Sequence, residues 1–484
     1  MEDGLLLKER IVAAAAAEGE RNLRWSAIWE EVKKLGILAG PMVAVTVSQY
    51  LLQVISLMMV GHLGEISLSS AALATSLTAV TGFSLLSGMA GGLETLCGQA
   101  YGAQQYQNIG LHTQRAIFSL LLVSLPISFL WASMGKILYF MGQDPLISYQ
   151  AGKYATWRIP GLFANAIVLP LMKFLLAQNL VLPMVLNCFA TLCVHVPLCW
   201  VLVFKYRLGN VGAALAISLS TWLGVAILGL YVQYSPSCER TRLALSKEMF
   251  RGLEFLQLAI PSAMMLCLEW WSFEMLILLS GLLPNAKLET SVLSICLTST
   301  VLIYNVPNGL GAAASTRVSN ELGAGKPQVA RLATYAALLV SVTETVIVST
   351  TLFAARYVLG YAYSNEKEVI NYVADMVPLI CLTVITDGLQ GVLAGVARGC
   401  GWQHIGAYIN LGAFYLFGIP ISVVLGFVFH IGGKGLWIGI VCGSTIQVTL
   451  LTMITVLTNW EQQANKARAR VFEEGLSIDN GSLK

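Results

Sequence analysis

Apolar residues occupy this chain in long blocks, and the charged residues gather in the gaps between them. A helix needs about 20 predominantly apolar residues to cross a bilayer. Twelve blocks reach that length: 36–61, 67–93, 115–139, 154–178, 183–204, 210–233, 254–283, 290–315, 331–359, 370–396, 404–429 and 434–458. Composition agrees with the pattern. Of 484 residues, 56% are hydrophobic and only 11% charged, and the mean hydropathy is +0.71. A soluble chain of this length needs far more charge to cover its surface. The expected fold class is an all-α polytopic membrane protein with twelve transmembrane helices.

Charge then sets the orientation. Residues 1–34 form a polar, alanine-rich segment with Lys8, Arg10, Arg21, Arg24, Lys33 and Lys34. It lacks the basic start, short apolar core and cleavage site of a signal peptide. The connection 234–253 carries Arg240, Arg242, Lys247 and Arg251, and the tail 459–484 carries Lys466, Arg468 and Arg470. Lys and Arg mark cytoplasmic helix ends, and an even number of spans puts all three segments on one side. Both termini are therefore expected in the cytoplasm, and loops such as 284–289 on the other side are short and nearly neutral. The net charge of +3 is topological and gives no reason to invoke nucleic acid. The ten cysteines lie mostly within spans without a C-x-x-C pair, which suits polarizable packing residues. The sequon at Asn480 falls in the cytoplasmic tail and is expected to stay unused.

The chain repeats itself. "AGPMVAVTVSQYLLQVISLMMVGHLG" from Ala39 is similar to "AIPSAMMLCLEWWSFEMLILLSGLLP" from Ala259, pairing Pro41 with Pro261 and Gly61 with Gly281. Gly102 pairs with Gly323, Tyr154 and Pro160 with Tyr372 and Pro378, and Asn187 to Pro197 with Asn410 to Pro420. "GNVGAALA" at 209–216 pairs with "GGKGLWIG" at 432–439. This ordered series divides the membrane region into an N-lobe, 35–233, and a C-lobe, 254–458. Six spans in each make the repeats parallel, related by an axis along the membrane normal, and transporters built this way hold substrate between the halves. Rocking of the two bundles is the expected mechanism.

"LEWWSFEMLILLSGLLP" (268–284) carries Glu269 and Glu274 inside an apolar run. A carboxylate there costs several kcal/mol or more unless it is protonated, paired or wetted. Together with "GLETLCGQAYGA" (92–103), "NVPNGLGAAASTRVSNELGAGKPQVAR" (305–331) and "ITDGLQGVLAGVARGCGWQ" (385–403), the chain resembles the multidrug and toxic compound extrusion (MATE) family, in its plant detoxification branch. The resemblance runs from about Ala39 to Leu457. It implies a V-shaped bundle of two six-helix lobes and proton-driven antiport of organic, often cationic or flavonoid-like, solutes. It also implies coupling carboxylates on the first and fourth C-lobe helices, which are Glu269 and Asp387 here.

Elementary physics supports that transfer. Glu269 follows Pro261 by eight residues and Asp387 follows Pro378 by nine, so both lie well inside their spans, where neighbouring carboxyls titrate as a coupled pair. Pro261 removes a helix hydrogen bond about two turns before Glu269 and provides a kink point, as Pro41 does in the first half. Glu274 points about 140° away from Glu269 and is open to a substrate role or a lobe-packing hydrogen bond. Gln49 occupies the position that Glu269 holds in the repeat, so the first half has a hydrogen-bonding group there that cannot titrate. Asn410 and Asn305 are candidates to hydrogen-bond the carboxylates. Tyr50, Trp270 and Trp271 suit either a cavity for flat cations or packing. Glu344 reads as a buried structural acid, Glu94 as part of a cytoplasmic gate or loop, and His195 as a packing histidine. Lys173 and Arg398 read as snorkelling or phosphate-contacting residues near span ends.

No G-x-x-x-x-G-K-[ST] loop is present, so nucleotide drive is not expected. Nor is a metal cluster or catalytic triad evident. The expected protein is a transporter and no enzyme. It needs no cofactor beyond the proton gradient, acts as a monomer, and sits in the plasma membrane or, alternatively, the vacuolar membrane. Three competing readings are a lipid or lipid-linked saccharide flippase of the same superfamily, a major-facilitator carrier, and a receptor or scaffold. The flippase predicts more basic residues in the N-lobe cavity than the sequence suggests, and the major-facilitator carrier lacks its "GxxxDRxGR" stretch.

Overall fold

A computed structural model describes residues 2–242 and 253–482, with side chains over 25–242 and 255–472. Lys8, Arg10, Arg21, Arg24, Lys247, Arg251 and the Asn480 sequon lie outside the residues whose side chains are described. Among the described residues the regular structure is helical throughout. Twelve helices are long and apolar enough to cross a membrane. Spans 1 to 6 are Trp25–Gly61, Glu65–Gly102, Tyr106–Ala132, Pro145–Ala177, Val181–Lys205 and Asn210–Tyr234. Spans 7 to 12 are Phe255–Ser280, Ala286–Gly323, Pro327–Ala354, Lys367–Cys400, Gln403–Val428 and Gly433–Leu457.

Several spans start or stop away from the apolar blocks, and the reason is burial of polar side chains by protein. Span 3 begins at Tyr106 rather than 115 because Asn108, His112, Gln114 and Arg115 are buried in its first turns. Span 2 runs past 93 to Gly102 with Glu94, Thr95 and Gln99 buried. Span 1 extends back through residues that read as a polar segment. There Glu31 is buried and its carboxylate pairs with Lys34 at 2.8 Å and with Arg317 of span 8 at 2.9 Å. Local chemistry fixes other ends. Asp144 caps span 4 by accepting from the Leu146 and Ile147 amides, with Pro145 in the first turn. Gly401, at φ +84°, ends span 10 in the left-handed conformation.

The polar tail is a helix as well, Trp460–Ser482. Trp460, Ala464, Ala467 and Val471 recur at helical spacing and are buried, which seats this helix under the spans. Arg470 donates from Nη1 to Gln99 Oε1 of span 2 at 2.7 Å.

The six-helix halves each build a core. Leu86, Trp131, Leu162 and Phe174 belong to one cluster, and Leu293, Val373, Phe414 and Trp437 to the other. Within the second half, spans 8 and 10 touch backbone to backbone. A methyl group on Gly395 would come within 2.1 Å of the Gly311 carbonyl oxygen. Only small residues permit that approach, and it fixes Asp387 two turns away. The halves are tied together at the end that carries the chain's termini. Thr95 Oγ1 donates to the Arg398 carbonyl, and Gln99 Nε2 donates to the Gly399 carbonyl at 3.0 Å.

Candidate functional site

Between the halves lies a cavity of about 510 Å³, within the range that holds small organic molecules. Gln49, Tyr50, Glu269, Trp270, Glu274, Asn305 and Asp387 all line it. Residues from spans 1, 7, 8 and 10, far apart in sequence, thus meet at one place.

Glu269 is buried in the second-half wall, only 7% exposed. Its Oε2 accepts hydrogen bonds from Gln390 Nε2 at 2.7 Å, Gln447 Nε2 at 3.1 Å and Asn410 Nδ2 at 3.4 Å. The amides hold one another too. Gln447 Nε2 donates to Asn410 Oδ1 at 2.8 Å, Asn410 Nδ2 donates to the Met265 carbonyl at 2.6 Å, and the Tyr304 hydroxyl donates to Gln390 Oε1 at 3.2 Å. Span 11 widens into a π-helix immediately after Asn410, over Leu411–Gly418, a device that often re-aims functional side chains. Asp387 lines the same cavity.

Glu274 turns the other way and accepts from Ser76 Oγ of span 2 at 2.9 Å. The two glutamates therefore serve opposite halves, as their angular separation predicts, while the cavity is wide enough to include both. Gln49 donates from Nε2 to the Met172 sulfur at 3.2 Å. Asn305 does not join the amide network: its Nδ2 donates to the Val301 and Leu302 carbonyls of its own helix, so its side chain is already satisfied one turn back. Trp271 donates from Nε1 to the Val80 carbonyl across the halves at 3.1 Å. Pro41 and Pro261 sit inside continuous helices.

Lys173 and Arg398 differ from expectation. They turn inward rather than to lipid or phosphate, because Glu94 is buried and draws both. Lys173 Nζ lies 2.5 Å from Glu94 Oε1 and Arg398 Nε 2.7 Å from Oε2. The trio joins spans 2, 4 and 10 at one end of the cavity. His195 is fully buried between Ser56 and Ser220, each at 3.0 Å. Both Glu344 oxygens are buried without a hydrogen-bond partner among the described residues.

Sequence reading missed Gln390, Gln447, Tyr304 and Arg158. Gln390 had a signal, since it lies three residues after Asp387 and so on the same helical face. Gln447 had the weaker one of a lone amide in span 12. Arg158 lies near the start of the 154–178 block and was not singled out, and the structure puts it on the cavity wall.

The MatE family profile matches residues 41–201 and 261–424, once in each half. Protein DETOXIFICATION 14 of Arabidopsis thaliana is 55% identical over 443 residues, covering 91% of each chain. Protein DETOXIFICATION 12 of the same plant is 52% identical over 477 residues, 97% of this chain and 99% of that one. The crystal structure of the eukaryotic MATE transporter AtDTX14 superposes with a TM-score of 0.90 at 55% identity, covering 92% of this chain and all of that one. An outward-facing MATE transporter of the MOP superfamily, 15% identical, shares the fold at a TM-score of 0.80. The major-facilitator alternative is thereby excluded. With twelve spans in two repeats, a cavity between them and these relatives, the chain is a membrane transporter of the multidrug and toxic compound extrusion family, in its plant detoxification branch.

Proposed function

We propose that the protein is a proton-coupled antiporter that exports organic, often cationic, xenobiotics or secondary metabolites by alternating access. The observation that carries this reading is the Glu269 carboxyl, buried in the cavity wall with three amide donors on one oxygen and no ion pair among the described residues. Gln390, Gln447 and Asn410 hold that oxygen whether or not the other carries a proton. A proton can be taken up and given back there without dismantling the wall. Asp387 makes the site a pair, since two neighbouring charges in a low-dielectric wall titrate as one unit. A cation entering the cavity competes with protons for the pair, which links solute leaving to proton entering.

Gln49, Tyr50, Trp270 and Glu274 supply hydrogen-bonding and aromatic contacts for the solute, and Pro41 and Pro261 supply the bending points. Names given to the relatives, detoxification proteins, support organic cargo. The Lys and Arg bias supports cytoplasmic termini. We read the transporter as a plasma-membrane protein, and as a monomer because one chain supplies both walls of the cavity.

The test is uptake of ethidium into proteoliposomes under an imposed pH gradient. Wild type should respond to the gradient, while Glu269→Gln and Asp387→Asn should each stop gradient-driven transport at near-normal expression. The double variant should be no worse than either single one, because both belong to one titrating unit. A Glu269→Gln protein with the wild-type dependence on pH would overturn the assignment.

A further inference from the structure

Arg158 stands apart from every other cation described in the membrane region. It lies on span 4, lines the cavity and is only 3% exposed. Its Nε is buried without a hydrogen-bond partner, and no hydrogen bond or ion pair to the guanidinium occurs among the described residues. Lys173 and Arg398 reach the same cavity, and each is ion-paired with Glu94, which they share. What Arg158 does have is an aromatic face, with its guanidinium carbon 4.7 Å from the centre of the Phe83 ring. That ring closes a π-helical stretch of span 2, Ala79–Phe83.

A guanidinium taken out of water without an anion is expensive, and a cation–π contact recovers only part of the loss. The cavity wall has further unspent polarity. Asn187 Oδ1 and Thr191 Oγ1 of span 5 are buried without partners, and both residues line the cavity. The carboxylates Glu269, Glu274 and Asp387 come from the second half. The cavity therefore has an acidic wall and, in the first half, one lining cation with no ion-pair partner among the described residues.

We infer that Arg158, stacked on Phe83, is an anion subsite that takes the carboxylate of an aromatic solute. The planar fork of a guanidinium matches a carboxylate through two parallel hydrogen bonds. A monoanion cancels one cation, whereas a dianion would leave a new unpaired charge in the same wall. The rings of Phe83, Tyr50 and Trp270 suit an aromatic body better than a bare inorganic ion, and a basic group elsewhere on the solute would meet the opposite wall. This inference rests on the transport reading for its biological use, but the binding it asserts is independent of proton coupling.

The experiment is thermal-shift titration of the purified full-length protein with 4-hydroxycinnamate and with its methyl ester, which differ only in the charge. Wild type should bind the acid at least tenfold more tightly than the ester. Arg158→Gln should bring the two within twofold, and Arg158→Lys should retain part of the preference. Equal binding of acid and ester by wild type would overturn the inference, and so would an acid preference that survives in Arg158→Gln. Sodium chloride titrated alone identifies the other source of an anion. Stabilisation by chloride that Arg158→Gln abolishes, with no preference for acid over ester, would make this an inorganic-anion site and overturn the organic one. If Arg158→Gln does not fold, the wild-type acid-to-ester ratio and the Arg158→Lys value decide the matter alone. Loss of pH-driven ethidium uptake would sink the proton-antiport reading and leave these binding results standing.

Discussion

A carboxyl surrounded by amide donors and a carboxyl with no partner behave differently, and this protein contains both cases in one membrane region. Glu269 is surrounded by donors, so replacing one should be felt by the rest. Gln447→Leu removes a hydrogen bond to Glu269 and another to Asn410. Leaving those buried acceptors short should cost about 1–3 kcal/mol, visible as a lower thermal midpoint in detergent. Glu344 is the opposite case, with both oxygens buried and unpartnered and no place on the cavity wall. Glu344→Gln removes the option of a buried charge and keeps the shape. We expect a midpoint equal to or above wild type with gradient-driven transport retained. A fall in transport with unchanged stability would instead give Glu344 a part in proton movement.

At the scale of elements, the second half depends on how closely spans 8 and 10 approach. Gly395 packs against the Gly311 backbone, and Asp387 rides on the same helix. Gly395→Leu forces the helices apart; overpacking costs about 1–3 kcal/mol, sometimes more. It should lower the thermal midpoint and shift Asp387 relative to Glu269, so stability and coupling fall together. The corresponding change at Gly229, where a side chain would meet nothing within 4 Å, is the control and should alter neither. The tail helix is a further element with a structural task, since Arg470 reaches Gln99 of span 2 while Trp460 and Ala464 pack beneath the second half.

The alternating access proposed above requires that the end where the halves are tied together can come undone. Here the halves meet through Glu94, Lys173 and Arg398, with Gln99 and Thr95 bonded to the carbonyls of span 10. Glu94→Gln leaves two half-buried cations without their shared anion; breaking a buried cluster costs about 3–5 kcal/mol, and partial exposure of the two cations lowers that figure. The expected outcome is a bias toward opening at this end. A cysteine at Ser319, fully buried in the closed arrangement, should then label faster with a membrane-impermeant maleimide in Glu94→Gln than in the otherwise identical protein. Equal labelling would show that the trio holds the fold and not the gate.

The sequence by itself determined the number of spans and the two-part repeat, and its family resemblance singled out Glu269 and Asp387. The first two are written in local composition and in spacing: an apolar block must be a span because lipid accepts nothing else. Acids in such blocks are rare and costly, which marks Glu269, Glu274, Glu344 and Asp387 alike, and the resemblance picks two of them. The span ends were less legible. Span 3 starts among Asn108, His112 and Arg115, which read as polar residues in water until neighbouring helices bury them. Only the tertiary structure decided the partners. Asn410 could have been assigned to the Glu269 network and was, but Asn305 satisfies itself, and a hydrogen-bond partner is a matter of direction that residue type does not encode. Gln447 and Gln390 close around Glu269 from spans 12 and 10. Lys173 and Arg398, alike in sequence to snorkelling residues, converge on one buried acid, while Arg158 is left with Phe83 alone. Which cation finds an anion depends on helices brought together from opposite ends of the chain, and no local pattern records that.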